Sequence, residues 1–239
     1  MALSAYLQRT EALLQNPSAP SSLYDPALLT GYVNEARFQL AGDSTSIKRI
    51  GSFALTPASQ GPYLYSSITL TNATGVQGVL DVRTLWYIVG DGQIWVRGRP
   101  WPWFSFYQLG NVAPEVGAPK TWAQYGEGVA GSAYFWPTPD VSYTMSADCV
   151  CYPIDLVDDT TVEAIPKPWT FAVPYYAAYL ALLSAQTGAR IQDAQRMFEL
   201  YGMFVQRSRA QVTPDILSTM FPQQQSPVSP IPTQGGPAA

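Results

Sequence analysis

Apolar positions along the chain change period twice. From the start they recur at helical spacing: Leu3, Tyr6, Leu7, Thr10, Leu13 and Leu14 make one stripe, stopped by Asn16-Pro17. Asp25-Pro26 predicts a second helix start, with Asp as N-cap and Pro at the first helical position. Tyr24 and Leu29 stand at the hydrophobic-staple positions. Leu28, Leu29, Tyr32, Val33, Ala36 and Leu40 supply its apolar face, and Gly42 is the expected stop.

Over residues 51–165 the pattern turns strand-like. Ser67 to Thr71 alternates, and Val79 to Val89 reads as a long strand. Gly90-Asp91-Gly92 before Ile94-Trp95-Val96 is a hairpin signal. Ala133 to Trp136, the Pro137-Thr138-Pro139-Asp140 turn and Val141 to Met145 read as strand, turn, strand. Six to eight strands, mostly antiparallel, are expected.

Helical spacing returns at residues 166–212. Pro166, Pro168 and Pro174 crowd the entry, so a helix is predicted to begin between Trp169 and Pro174 and to end near Gly188. In the last helix Ile191, Ala194, Phe198, Tyr201, Val205 and Val212 form the stripe, widened by Met197 and Phe204. The short Thr187-Gly188 connection makes these two helices antiparallel neighbours. Residues 213–239 hold six prolines, four glutamines and a single charge, Asp215, a composition that builds no core of its own. The fold class expected is therefore α+β. Residues 1–50 and 166–212 form an antiparallel helical bundle from both chain ends, residues 51–165 an inserted antiparallel β domain, and residues 213–239 an extended Pro-rich tail.

Composition narrows the chemistry. The chain of 239 residues has no histidine, which removes the Ser-His-Asp triad, the Cys-His pair and every His-ligated metal site. Its two cysteines, Cys149 and Cys151, lie one residue apart and read as small buried hydrophobes. The 7 Trp, 15 Tyr and 9 Phe against only 13 basic and 17 acidic residues suit large packed interfaces. Charge is uneven: residues 51–165 carry four basic and ten acidic groups, net −6, while the segments on either side are neutral or basic. The basic residues come in pairs (Lys48-Arg49, Arg97 and Arg99, Arg207 and Arg209), not in the stripe a nucleic-acid face needs. The longest uncharged run, which starts at Pro168, is interrupted by polar residues and is expected to be a buried helix rather than a membrane span.

Two clusters remain as candidate chemistry. Asp155, Asp158 and Asp159 precede Glu163, and paired carboxylates are what a glycosidase needs. Trp101, Pro102, Trp103, Phe104 and Phe106 form the most aromatic stretch, suited to a core, a subunit interface or a sugar platform. Neither a P-loop nor a calcium loop is present, and no motif predicts a cofactor or a metal.

The opening Ala-Leu-Ser-x-Tyr-Leu and the run Tyr32-Val33-Asn34-Glu35-Ala36-Arg37 resemble the start of head-to-tail adaptor proteins of tailed bacteriophages. So do Tyr134-Phe135-Trp136-Pro137-Thr138-Pro139-Asp140 and the segments Ala164 to Trp169 and Val173 to Ala181. The resemblance implies a structural virion protein, not an enzyme: a dodecameric ring at the head–tail junction, assembled in the host cytoplasm. Its expected partners are the portal protein, tail or nozzle proteins and further copies of itself, with duplex DNA passing through unbound and no membrane. The helices would meet the portal and the β region the tail.

On that frame the tail becomes a portal-docking arm anchored by Ile216, Leu217, Met220, Phe221, Val228 and Ile231. The acidic β domain would line the channel through Asp140, Asp148, Asp155, Asp158 and Asp159, and Trp101, Trp103 and Phe104 would form a subunit or tail interface. The alternative is a carbohydrate-binding or cell-wall-degrading virion protein that uses Trp101, Trp103 and the Asp155 to Glu163 cluster. A third is a single-strand-binding module.

Overall fold

The computed structural model describes residues 1–16, 23–106, 115–184 and 188–212. Helix α1 (Leu3–Leu14) buries Leu3, Tyr6 and Thr10 and ends with Gln15 in the left-handed region. Helix α2 (Pro26–Ser44) starts as its sequence dictates: the Asp25 carboxylate accepts from the Ala27 N–H, and Pro26 occupies the first turn. Tyr24 and Leu29 close the staple over Ala181.

The expected stop at Gly42 is not used. The helix runs on to Ser44, whose hydroxyl donates to the Leu40 carbonyl, and Thr45 takes the left-handed cap. Asp43 in this last turn accepts from Tyr201 Oη, which ties the extra turn to the far helix. Leu28 also departs from expectation, being 46% exposed beside the buried stripe of Leu29, Val33, Ala36 and Leu40.

Eight strands follow: β1 (Lys48–Ala54), β2 (Tyr63–Leu64), β3 (Thr69–Leu70), β4 (Val76–Val89), β5 (Gly92–Gly98), β6 (Thr121–Tyr125), β7 (Ser132–Trp136) and β8 (Thr144–Pro153). They form one curled sheet in the order β2-β7-β6-β5-β4-β8-β1-β3. All pairs are antiparallel except β5 with β6. The two end strands, β2 and β3, are joined by a 3-10 turn at Tyr65–Ser67, so one short segment gathers both ends of the sheet. This turn takes Ser67, the first residue of the expected Ser67 to Thr71 strand, whose Oγ donates to the Leu64 carbonyl, and the strand that forms is only Thr69–Leu70.

Strand β8 is the axis. It pairs with β4 from Val76 to Tyr87 on one side and with all of β1 on the other. Met145, Ala147, Cys149 and Cys151 point to the inside of the curl with Phe53, Tyr65, Val82, Leu85 and Phe135, all buried. The opposite side of β8 carries Val150, also buried, and Tyr152, which stacks on Phe38 of α2 at 3.9 Å between ring centroids. One continuous core therefore runs from the helices into the sheet. Both thiols are free and fully buried; burial pushes Cys149 up to about 12 and Cys151 up to about 11, the setting of structural rather than reactive thiols.

The strand, turn, strand expected at 133–145 is present, except that the second strand starts at Thr144 rather than Val141. Its two strands, β7 and β8, stand four places apart in the sheet. Pro137 and Pro139 lack the N–H groups a tight hairpin ladder would use. Their carbonyls and neighbours instead serve other segments: Pro139 accepts from Ala58, Thr138 from Gly117 and Tyr143 from Leu55. The hairpin expected at Gly90-Asp91 does form, with Val89 opposite Gly92 and Gly90 at φ +57°.

A 3-10 turn at Trp169–Phe171 leads into α4 (Val173–Ser184), within the expected window. Ala177, Ala178 and Ala181 are fully buried, and their small side chains let α4 lie against α1, α2 and the last helix at once. That helix, α5 (Gly188–Val212), begins at Gly188, which is thus a first residue and not the expected C′ stop. Its buried stripe is Ala194, Tyr201, Val205 and Ser208, while Ile191 and Phe198 are about half exposed. Among the described residues no helix is long and apolar enough to cross a membrane.

Candidate functional site

The densest polar structure is built around Arg37, which projects from the apolar stripe of α2 and is fully buried. Its Nε and Nη2 donate to the two oxygens of Glu163 at 3.0 and 2.9 Å, a two-pronged pair. Its Nη1 donates to the Ile154 carbonyl at 2.6 Å and to Asn34 Oδ1 at 3.1 Å. Tyr6 Oη of α1 and the Ile165 N–H also donate to Glu163. Asn34 both donates to the Leu156 carbonyl and accepts from its N–H. The segment 154–165 is thereby strapped across α1 and α2.

Burial works against the Glu163 charge, but Arg37 beside it and the N–H and hydroxyl donors prevail, and its carboxyl sits below the ordinary range. Tyr6 is held protonated far above the usual phenol range, by burial and by the Glu163 charge. Sequence reasoning took Glu163 as part of an acidic cluster and missed this pair. The signal was present: Arg37 stands four residues after Val33 and three before Leu40, a charge in phase with the buried stripe.

The pairing takes Glu163 out of the acidic cluster that the hydrolytic alternative would use. Glu163 is consumed by Arg37, with its side chain 6% exposed. Asp158 closes its own turn by accepting from the N–H and hydroxyl groups of Thr160 and Thr161, and Asp159 accepts from the Ser4 N–H at the start of α1. These bonds hold both carboxyls below the usual range, the opposite of what a general acid needs. Among the described residues no three His, Cys, Asp or Glu side chains gather as a metal site.

The five aspartates expected along a channel do not form one patch within the chain. Asp140 lies before β8 and accepts from Tyr143 Oη; Asp148 is half-buried in mid-strand; Asp155, Asp158 and Asp159 are exposed beyond the far end. Strand β8 alone separates the two groups by roughly 30 Å.

The aromatic stretch is mostly spoken for. Helix α3 (Trp101–Phe104) sets Trp101 between Tyr125 and Tyr134, at 4.7 and 4.8 Å between ring centroids. Arg99 lies over the Trp103 ring. Phe104 is fully buried, so this member of the expected interface is corrected to a core residue of the chain. Beside Trp101 runs a shallow depression of about 600 Å³ with Arg99, Gln124 and Glu127 in its wall, Glu127 being the one carboxylate among its described lining residues. The arm residues Ile216, Leu217, Met220, Phe221, Val228 and Ile231 lie outside the described residues.

Two groups stand out among the apolar side chains that the chain exposes. The β4–β5 hairpin shows Ile88, Val89, Ile94 and Trp95 at 68, 54, 41 and 57% exposure. On α4 and α5 Leu183, Ile191, Phe198 and Met203 are similarly open. The helices meet β8 through α2 near Tyr152, whereas the hairpin tip extends past the Tyr87–Met145 pair at the other end of that strand. Such patches mark contact surfaces rather than catalysis. No curated protein matches the chain. A family model described as SU10 adaptor protein matches residues 1–219, so the chain belongs to the SU10 adaptor protein family, and it is a structural adaptor of phages.

Proposed function

We propose that the protein is the ring-forming link between portal and tail, present at the head–tail junction of the virion. The observation that carries this reading is the pair of exposed apolar groups on different parts of the fold, one on the β4–β5 hairpin and one on α4 and α5, as a part joined on two sides requires. On this reading residues 1–50 and 166–212 act as one helical bundle against the portal, and residues 51–165 form the β unit turned to the tail. Twelve copies close the ring, Trp101 and Trp103 lie at subunit or tail contacts, and Asp140, Asp148, Asp155, Asp158 and Asp159 face the DNA passage, where like charge keeps the duplex from adhering.

A head-to-tail interface closes only at the right rotation, and the portal supplies it. Alone at micromolar concentration the chain is expected to sediment as a monomer or weak oligomer, and to form a ring when its portal is added. A stable ring without portal would refute the templating.

Residues 213–239 serve as the arm. By sequence its six prolines predict an extended segment, and 27 residues at about 3.1 Å each would reach on the order of 80 Å. Deleting them is expected to weaken portal binding at least tenfold, about 1.4 kcal/mol, with the melting curve unchanged. Equal binding by the shortened chain would remove the arm from the assembly.

A further inference from the structure

The β4–β5 hairpin has a feature that its apolar tip alone does not explain. The pair Val89–Gly92 closes a two-residue turn, so Gly92, Ile94 and Val96 direct their N–H and C=O groups toward β4. Gln93 and Trp95 direct theirs the other way. The alternation is confirmed one step further on, where the outward N–H of Arg97 donates to the Lys120 carbonyl.

Strand β6 pairs with β5 only at Arg97 and Gly98. Among the described residues nothing pairs with the outward groups of Gln93 and Trp95. Among the described residues, 92–96 are thus an open strand edge, about 16 Å long. It carries none of the usual protections: Gly92-Gln93-Ile94-Trp95-Val96 has no charge, no proline and no bulge. Its flanks are sticky as well. Trp95 packs on Trp86 at 5.0 Å, with Ile88 on the same face, while Val89 and Ile94 lie exposed on the opposite one.

We infer that the outer edge of β5, residues 92–96, accepts an extended strand from a different protein on the tail side. The strand is about five residues long, with apolar side chains to lie along Trp95 and Ile88 and a carboxylate at the Arg97 end. Strand addition satisfies the outward backbone groups of Gln93 and Trp95 and covers apolar surface in the same step. The carboxylate follows from Arg97, which shares the Trp95 face, is exposed, and has no acidic partner among the described residues.

A second copy fits less well. Head-to-tail pairing of copies needs another open edge of matching length, and the sheet's own end strands, β2 and β3, are two residues long. Edge-to-edge pairing of β5 with itself makes isologous pairs and does not continue around a ring. The inference rests on the adaptor placement only for where the donor is found.

Hydrogen exchange tests it directly. Amides of Gln93 and Trp95 would be compared in the free chain and in neck complexes purified from virions, with the Ile94 amide, which faces β4, as internal control. Both outward amides are expected to exchange at least tenfold more slowly in the neck. A benzophenone carried on Gln93→Cys in the same complexes is expected to cross-link to a tail-side protein.

Unchanged exchange at both amides would overturn the strand-acceptor edge. Cross-links to the portal or to a second copy of this chain would overturn the stated donor. Absence of the chain from the neck would overturn the adaptor placement and, with it, the donor. In the free chain Gln93→Pro removes only an outward N–H, so its melting temperature is expected to hold. In the neck it is expected to abolish the cross-link from a benzophenone placed at Ile94→Cys, and a retained cross-link would again refute the edge.

Discussion

Glu163→Gln is expected to destabilise the folded chain by about 3–5 kcal/mol, the loss that follows when one member of a buried ion pair is removed. The reason lies with the residue left behind. Arg37 has a side chain 1% exposed, cannot release its proton, and would face a neutral amide in place of a carboxylate held at 2.9 Å. Tyr6 Oη and the Ile165 N–H would lose a charged acceptor at the same time. Equilibrium denaturant unfolding measures the effect. A loss under about 1 kcal/mol would mean that the pair is solvated in practice. Pairing Glu163→Met with Arg37→Met should recover part of the loss, because no charge is then stranded.

The same carboxylate gives a pH signature with a definite sign. Its folded pKa is depressed, so its contribution to stability is fully present above the ordinary glutamate range, near pH 4.5, and is lost as pH falls through the folded value. The native chain should therefore weaken on acidification below that point more steeply than Glu163→Gln, which has no proton to take up there. Parallel acid limbs for the two proteins would contradict the assignment.

Much of this architecture is legible in the sequence, and the failures have physical causes. Asp25-Pro26, the Tyr24–Leu29 staple and the Gly90-Asp91 turn are local devices, each decided within a few residues, and all three appear in the structure. The helix end at Gly42 fails because Asp43 is held by Tyr201, 158 positions along the chain, which no local pattern encodes. The sheet neighbours of β7 and β8 are not legible for a related reason. Strand pairing is a long-range choice, and the long β4 takes the side of β8 that a hairpin partner would have used.

The candidate site divides the same way. A run of acidic residues from Asp155 to Glu163 looks like one cluster in sequence. The partners that give each its role, Thr160 and Thr161 for Asp158, Ser4 for Asp159 and Arg37 for Glu163, are of three different kinds. Only the first is near in sequence, where an Asp side chain closes its own turn onto residues two and three further on. The resemblance to head-to-tail adaptors stood on whole segments, and the family match over residues 1–219 bears it out.

Gly75→Ala should also be strongly damaging, at roughly 2–4 kcal/mol, combining a left-handed backbone with a backbone collision. Gly75 sits at φ +75°, where an L side chain is strained whatever the space around it. An added Cβ would also lie 2.8 Å from the Val162 carbonyl oxygen and 3.3 Å from Ala164 Cβ. Neither contact is the far end of a flexible side chain, so the strap itself must shift. Gly75 meanwhile accepts from the Ile154 N–H, which anchors the other end of the same segment.

The collision is therefore aimed at the residues on either side of Glu163. That makes the two substitutions interdependent. Once Gly75→Ala has displaced Val162 and Ala164, the Arg37–Glu163 geometry is already impaired, and Glu163→Gln has less to remove. The double variant should be more stable than the summed single losses require, by about 1 kcal/mol or more, as expected for neighbours that share one backbone segment. Strict additivity in denaturant unfolding would show that the collision at Gly75 is absorbed locally and never reaches the buried pair.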